Sequence, residues 1–328
     1  MMKTGESSLF PLLYDYLKTY LPKQRNVSHN TILSYRKALE ELLDYVKERE
    51  QIPLGSLSFE HLTADVIFSF LEHLELEKGC SISTRNARFA AIRAFMDYAA
   101  DHDITLIANL NKLKKVPFKK PDNTIMVDYM SMRAITAIIE QPDINTPKGL
   151  RDRFFIMLLY DTGARVQEVL NLKLGDLQLG QLPKVTLFGK GRKTRVVPLM
   201  EKTTQHLKKY LSVFHKDTAQ NVDAPLFYSV IHGNKQRLSD RRIRYVLQKY
   251  GEQARRVCPE VPSNVYPHLL RHSRAMHLYQ EGMDLTLVSQ WLGHSQLETT
   301  QIYAMQILSI SVRLLKQLRR RTIRSTPS

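Results

Sequence analysis

Lys184-Val185-Thr186-Leu187-Phe188, then Gly189-Lys190-Gly191-Arg192-Lys193, then Thr194-Arg195-Val196-Val197-Pro198-Leu199: two β-branched runs flank a glycine-containing turn. That pattern predicts a β-hairpin. On either side the chain reads as helix. Apolar residues recur with helical spacing near 129–140, 150–161 and 165–172 before the hairpin, and near 201–212, 239–254, 267–281, 284–292 and 306–320 after it. The expected fold class is mainly α with a small antiparallel β-sheet.

The first hundred residues are read as helices alone. In 31–46, Ile32, Tyr35, Leu39, Leu42, Leu43 and Val46 keep the 3.6-residue period, with Ser28 or Asn30 as the cap. A second helix follows Thr63 and carries Val66, Phe70, Leu71 and Leu74 on one face. A third covers about 83–100, with Ala87, Ala91, Ala94, Phe95 and Tyr98 on one side and Arg85, Arg88 and Arg93 on the other. With an earlier helix near 8–20, these form a bundle. The composition then changes. Residues 112–123 hold five lysines, two prolines and little apolar periodicity, which predicts an extended basic linker. The expected organisation is a helical domain over 1–111, a linker over 112–123 and a second domain over 124–328.

Composition sets the class. The 328 residues are 43% hydrophobic and 24% charged, as in an ordinary globular protein. No run reaches the roughly 20 apolar residues of a membrane span. The N-terminal residues lack the apolar core of a signal peptide. Cys80 and Cys258 stand far apart, against a disulfide framework and a cysteine-based zinc site. A soluble, cytoplasmic protein is expected. The net charge is +16 and the pI near 9.7. Residues 1–111 carry 12 basic and 15 acidic side chains, whereas residues 112–328 carry 36 and 17. The excess is concentrated in the linker and the second half, which favours a polyanionic partner there.

Several short runs bear chemistry. Thr162-Gly163-Ala164-Arg165-Val166-Gln167-Glu168 sets an arginine and a glutamate three apart, on one helical face. Alone, such a pair is common on surfaces. Pro267-His268-Leu269-Leu270-Arg271-His272 puts His268, Arg271 and His272 on one face. Two histidines four apart can hold zinc, but no glutamate lies between them and an arginine cation shares the face. The combination suits a phosphate instead: arginine supplies a planar fork of donors, and histidine a donor or proton carrier. Trp291-Leu292-Gly293-His294 ends a helix on glycine. Tyr303 follows nine residues later, and nothing in composition selects it among 15 tyrosines.

The order of these pieces resembles the tyrosine recombinase, or phage integrase, family. The resemblance covers the whole chain and rests on five separated runs: Thr-Gly-x-Arg, Gly-Lys-Gly-x-Lys, His-x-Leu-Arg-His, Leu-Gly-His and Thr-Thr-x-x-Tyr. It implies a helical core-binding domain of SAM-like type followed by an α+β catalytic domain. It implies a site-specific recombinase that cleaves and rejoins DNA through a 3′-phosphotyrosine, without metal or nucleotide cofactor, in the integration, excision or resolution of a DNA element. No Walker-type phosphate loop is present, in keeping with such energy-conserving chemistry.

By the same resemblance Tyr303 is the nucleophile, and Arg165 and Arg271 bind the phosphoryl oxygens. Lys190 is the general acid for the departing 5′ oxygen, with Lys193 as its rival in the same turn. His268 is a general base or a phosphate ligand, His294 donates to the phosphate, and Glu168 orients Arg165 or His268. His272 packs or orients. The family clamps double-stranded DNA between two domains, which makes Arg85, Arg88, Lys114, Lys115, Lys119, Lys120 and Lys193 candidate DNA contacts; a solvated bundle face and spacer remain the alternative. The family also works as a homotetramer on two DNA sites, exchanging a C-terminal helix. Ile307, Ile310, Leu314, Leu315 and Leu318 are the candidate docking face, or pack on their own domain. Two other functions stay open: a DNA-relaxing enzyme of type IB topoisomerase kind, and a DNA-binding protein with an integrase fold that cuts nothing.

Overall fold

Ser28, Thr63 and Ser81 each accept the backbone N–H three residues on, and each opens a helix of the N-terminal unit. The computed structural model describes residues 9–120, 128–189, 193–216 and 221–293. The chain divides into two units, Met1–Ile125 and Met126–Ser328.

In the first unit, α1 (Leu9–Asp15) runs directly into a π-helical segment, Tyr16–Gln24. Then come α2 (His29–Glu50), α3 (Ala64–Leu76), α4 (Ile82–His102) and α5 (Ile107–Lys114). Ser28, rather than Asn30, is the cap of α2. The periodic residues Leu39, Leu42, Phe70, Leu71 and Phe95 are buried in one core together with Tyr16 and Phe89. Helix α5 absorbs Lys112 and Lys114 because Leu110 and Leu113 join that core. The basic stretch therefore leaves helical structure only after Lys114.

The second unit is built around α7 (Pro147–Thr162), which is buried along nearly its whole length. Helices α6 (Met132–Glu140), α9 (Glu201–Phe214) and α11 (Pro267–Gln280) pack against it. Phe154, Phe155, Tyr210 and Phe227 form the aromatic centre of the core. Between the helices lies an antiparallel sheet in the order β1 (Leu177–Gln178), β2 (Lys184–Phe188), β3 (Thr194–Pro198). The expected hairpin is β2–β3, with Val185 opposite Val197 and Leu187 opposite Arg195. A second hairpin pairs β4 (Tyr228–Ile231) with β5 (Asn234–Arg237). Short α8 (Val166–Leu170) follows α7, and α10 (Asp240–Arg255) and α12 (Leu285–Leu292) complete the described part. Among the described residues no helix is long and apolar enough to cross a membrane.

Candidate active site

Helix α7 stops at Gly163, whose φ of +57° is left-handed. A side chain there would be strained and would also meet Leu292, since a Cβ would lie 2.8 Å from its Cδ2. The turn delivers Arg165 to the start of α8. Glu168, one turn on, reaches back to the Arg165 N–H over 2.8 Å and to Arg165 Nη1 over 3.1 Å.

The hairpin meets this turn. On β2 and β3, Val185, Leu187 and Val197 point into the core. Arg195 occupies the same inward face, opposite Leu187. Its Nη2 lies 2.7 Å from Glu168 Oε2 and its Nη1 3.2 Å from Oε1, a two-pronged pair. The carboxylate is thus buried between two guanidiniums. Burial alone would push its pKa up, but the hydrogen bonds and charge of Arg195, with those of Arg165, hold it below the usual carboxylate value. Gly189 closes the hairpin by donating its N–H to the Lys193 carbonyl at 2.8 Å. A Cβ on Gly189 would approach Glu168 Oε1 to 3.2 Å, so glycine lets the hairpin stem lie against the carboxylate.

Helix α11 brings the next group. Pro267 sits in its first turn, and His268, Arg271 and His272 share a face. Arg271 is only 3% exposed. Its Nη1 donates to the Gly163 carbonyl and its Nη2 to the Leu292 carbonyl, both at 2.7 Å. The rings of His268 and His272 are 6.3 Å apart. The surrounding protein and the charges of Arg271, Arg165 and Arg244 lower the His268 pKa, against an opposing effect of Asp240. Burial, with His268 and Arg271, pushes His272 down to about 4. Both imidazoles are therefore neutral at physiological pH.

The end of α12 closes this constellation. Gly293 terminates the helix with φ +67°. Arg195 Nε takes the carbonyl of Trp291 at 2.8 Å, next to the Leu292 carbonyl held by Arg271. Two arginines at a helix C-terminus complement its negative dipole end. Lys190, His294 and Tyr303, and the apolar positions of 306–320, lie outside the described residues. Lys193 is described, with its side chain exposed.

The family follows from comparison with known proteins. Residues 128–307 match the model of the phage integrase family, and residues 15–103 match its N-terminal SAM-like domain. The chain belongs to the phage integrase family. It is a tyrosine-type site-specific recombinase. It is 35% identical over 301 residues to the putative integrase/recombinase y4rC of Sinorhizobium fredii, covering 92% of this chain and 88% of the relative. It is 30% identical over 298 residues to tyrosine recombinase XerD of Staphylococcus epidermidis, covering 89% and 92%. Two solved structures share its fold. One is the XerH recombinase bound to palindromic difH substrate in a post-cleavage complex, with 21% identity, a TM-score of 0.68 and coverage of 96% and 91%. The other is a lambda integrase tetramer bound to a Holliday junction, with 16% identity, a TM-score of 0.63 and coverage of 90% and 76%. The mainly α fold with small antiparallel sheets is the one expected from the sequence.

In the recombinase's first unit, the candidate DNA contacts separate into different environments. Arg85 is 1% exposed. It pairs with Glu75, donates to the Pro117 carbonyl at 3.1 Å and lies over the Phe89 ring, so it ties α4 to the segment after α5. Arg88 grips both oxygens of Glu41. Lys114 pairs with Asp97 and Lys119 with Glu75. Lys115 and Lys120 are exposed. Among the described residues, no group of three or more His, Cys, Asp or Glu side chains is placed to hold a metal ion.

Two features of the recombinase escaped the reading of the sequence. One is Arg195; a charged residue at an inward position of an alternating strand was its signal. The other is the buried pair of Arg274 and Asp161. Arg274 donates to the Asp161 carbonyl and carboxylate and lies over the rings of Tyr160 and Trp291. Asp161 accepts the Met200 N–H, which anchors the chain leaving the hairpin.

Proposed function

We propose that this recombinase cuts and rejoins DNA through a phosphotyrosine at Tyr303, in the movement or resolution of a DNA element. The observation that carries the reading is the gathering of Arg165, Glu168, His268 and Arg271 from α8 and α11 beside one hairpin. Such a set suits a phosphodiester. The Tyr303 oxygen forms a bond to phosphorus as the bond from phosphorus to the 5′ oxygen breaks. Arg165 and Arg271 face the charge that grows on the phosphoryl oxygens. Arg271 keeps a fixed orientation because two carbonyls hold it.

His268 is neutral at physiological pH and so can take the tyrosine proton. His294 donates a hydrogen bond to the phosphate. Lys190 or Lys193 gives a proton to the departing 5′ oxygen. A 5′-hydroxyl from the partner strand then attacks the phosphotyrosine, and each proton returns to its donor. The number of phosphodiester bonds is conserved, so the reaction needs no nucleotide energy. Four copies act on two duplexes, with the 306–320 segment of each docked on a neighbour. The exposed Lys115 and Lys120 follow the backbone of the duplex.

Trapping tests the reading. Wild type, Tyr303→Phe and Arg271→Ala are incubated in EDTA with nicked duplexes taken from the ends of the encoding element. A denaturation-resistant protein–DNA adduct is expected from wild type and not from Tyr303→Phe. Tight binding without adduct on every such duplex would leave a DNA-binding protein that does not cut. Relaxation of supercoiled plasmid by the monomer, with no need for paired sites, would indicate a topoisomerase instead.

A further inference from the structure

Arg195 takes no part in the chemistry just described, yet it touches both Glu168 and the end of α12. It leaves β3 on the inward face, pairs with both oxygens of Glu168 and donates its Nε to the Trp291 carbonyl. Its side chain is 11% exposed, whereas that of Arg165 is 39% exposed. We infer that Arg195 is a positioning residue: it neutralises Glu168 and pins the end of α12, so that Arg165 keeps its charge and its outward donors for the phosphate. The inference rests on the proposed function in taking a phosphate as the ligand.

The charge balance carries it. Glu168 is one buried carboxylate between two guanidiniums, one from its own turn and one from the hairpin. These are the charged groups that dominate its titration. Arg195 takes the two-pronged position, and Arg165 reaches the same carboxylate with a single guanidinium N–H at 3.1 Å. Without Arg195, the whole carboxylate charge would fall on Arg165 and draw its fork inward, away from substrate. The second contact is independent of the first. Arg195 and Arg271, from different elements, hold consecutive carbonyls at the end of α12. A Cβ at Gly293 would come within 2.9 Å of Arg195 Nη1, so this helix end and the guanidinium are fitted to each other.

The test compares adduct formation by wild type, Arg195→Met, Arg195→Lys, Glu168→Gln and the double variant Arg195→Met/Glu168→Gln. Arg195→Met should slow cleavage about 10- to 100-fold, the loss seen when a residue that orients a metal-ligating side chain is removed. Arg195→Lys, which keeps the charge but not the fork, should fall between. The double variant should cleave faster than Arg195→Met alone, because no carboxylate is left to neutralise. A double variant that loses activity additively would overturn the proposal. A second measurement does not need catalysis. Carboxyl NMR of glutamate-labelled protein, with the Glu168 signal assigned by Glu168→Gln, should show Glu168 titrating at higher pH in Arg195→Met and Arg195→Lys. An unmoved titration also overturns it. If wild type itself gives no adduct, the proposed function fails, and the Glu168 titration still decides the role of Arg195.

Discussion

Arg271 donates to the carbonyl of Gly163 over 2.7 Å, joining two segments 108 residues apart in the chain. The bond is possible because Gly163 turns left-handed at the end of α7 and aims its carbonyl at α11. The residue named for phosphate binding is thus held by the turn that presents Arg165.

Gly163→Ala should therefore damage both arginines at once. Holding alanine in the left-handed region costs about 1–3 kcal/mol, before the clash with Leu292 is added. The variant should melt earlier than wild type, and its cleavage rate should fall even at temperatures where it stays folded. Melting curves and single-turnover trapping read the two effects separately.

Arg271→Lys should fail as a conservative change. Lysine keeps the charge but cannot present two parallel donors to the Gly163 and Leu292 carbonyls. A buried carbonyl left unpaired costs roughly 1–3 kcal/mol. Cleavage should fall strongly while binding of duplex DNA weakens little, as gel-shift and trapping assays would show.

The buried pair of Arg274 and Asp161 gives a stability test away from the reacting atoms. Arg274→Met leaves Asp161 without its guanidinium and should cost about 3–5 kcal/mol. Arg274→Met/Asp161→Asn should recover part of that loss in urea unfolding. Equal stability of the single and double variants would show that the carboxylate does not need its partner.

Acid should destabilise the second unit through His272. Its folded pKa of about 4 lies below the free value of 6.5, so the unfolded chain takes up the proton more readily. The stabilising contribution is complete above pH 6.5 and is lost as the pH falls toward about 4. His272→Gln should flatten this part of the melting temperature against pH profile.

The basic residues of the first unit should divide by environment. Arg85→Ala should lower stability, since it empties a buried site that links Glu75, Pro117 and Phe89. Lys115→Gln and Lys120→Gln should leave stability intact and weaken DNA binding. Each should reduce the salt slope of binding by about 0.9 if its phosphate contact is direct.

Much of this architecture was legible because local signals agreed with tertiary ones. Ser28 at the cap of α2 and Thr63 ahead of α3 marked two helix starts, apolar spacing marked α4, and the Val185 to Val197 alternation marked the main hairpin. The β4–β5 hairpin was not legible. Its turn residues are His232 and Gly233, both with positive φ, and histidine is a weaker turn signal than asparagine or aspartate. The π-helical continuation through Pro22 to Gln24 also extends past the expected helix, since burial of Leu21 holds the segment in place. In the site, spacing brought Arg165 to Glu168 and His268 to Arg271. It could not show that Arg195 would join them, because that contact depends on the packing of β3 against α8 and α12. Nor could it separate Arg85 from Arg88 and the lysines, since burial of one arginine on a basic face is decided by its neighbours in space.

The neutral imidazoles of His268 and His272 have a thermodynamic consequence. Burial depresses both first, and the positive charge of Arg271 and, for His268, of Arg165 adds to it. An anion placed among these arginines offsets their charge and raises the affinity of His268 for a proton, while burial still opposes it. A phosphodiester bound there would make His268 a stronger base without charging it beforehand, which suits it to receive the tyrosine proton. Cleavage should therefore slow as mild acid charges the imidazole in advance, while the arginines keep their hold on the phosphate.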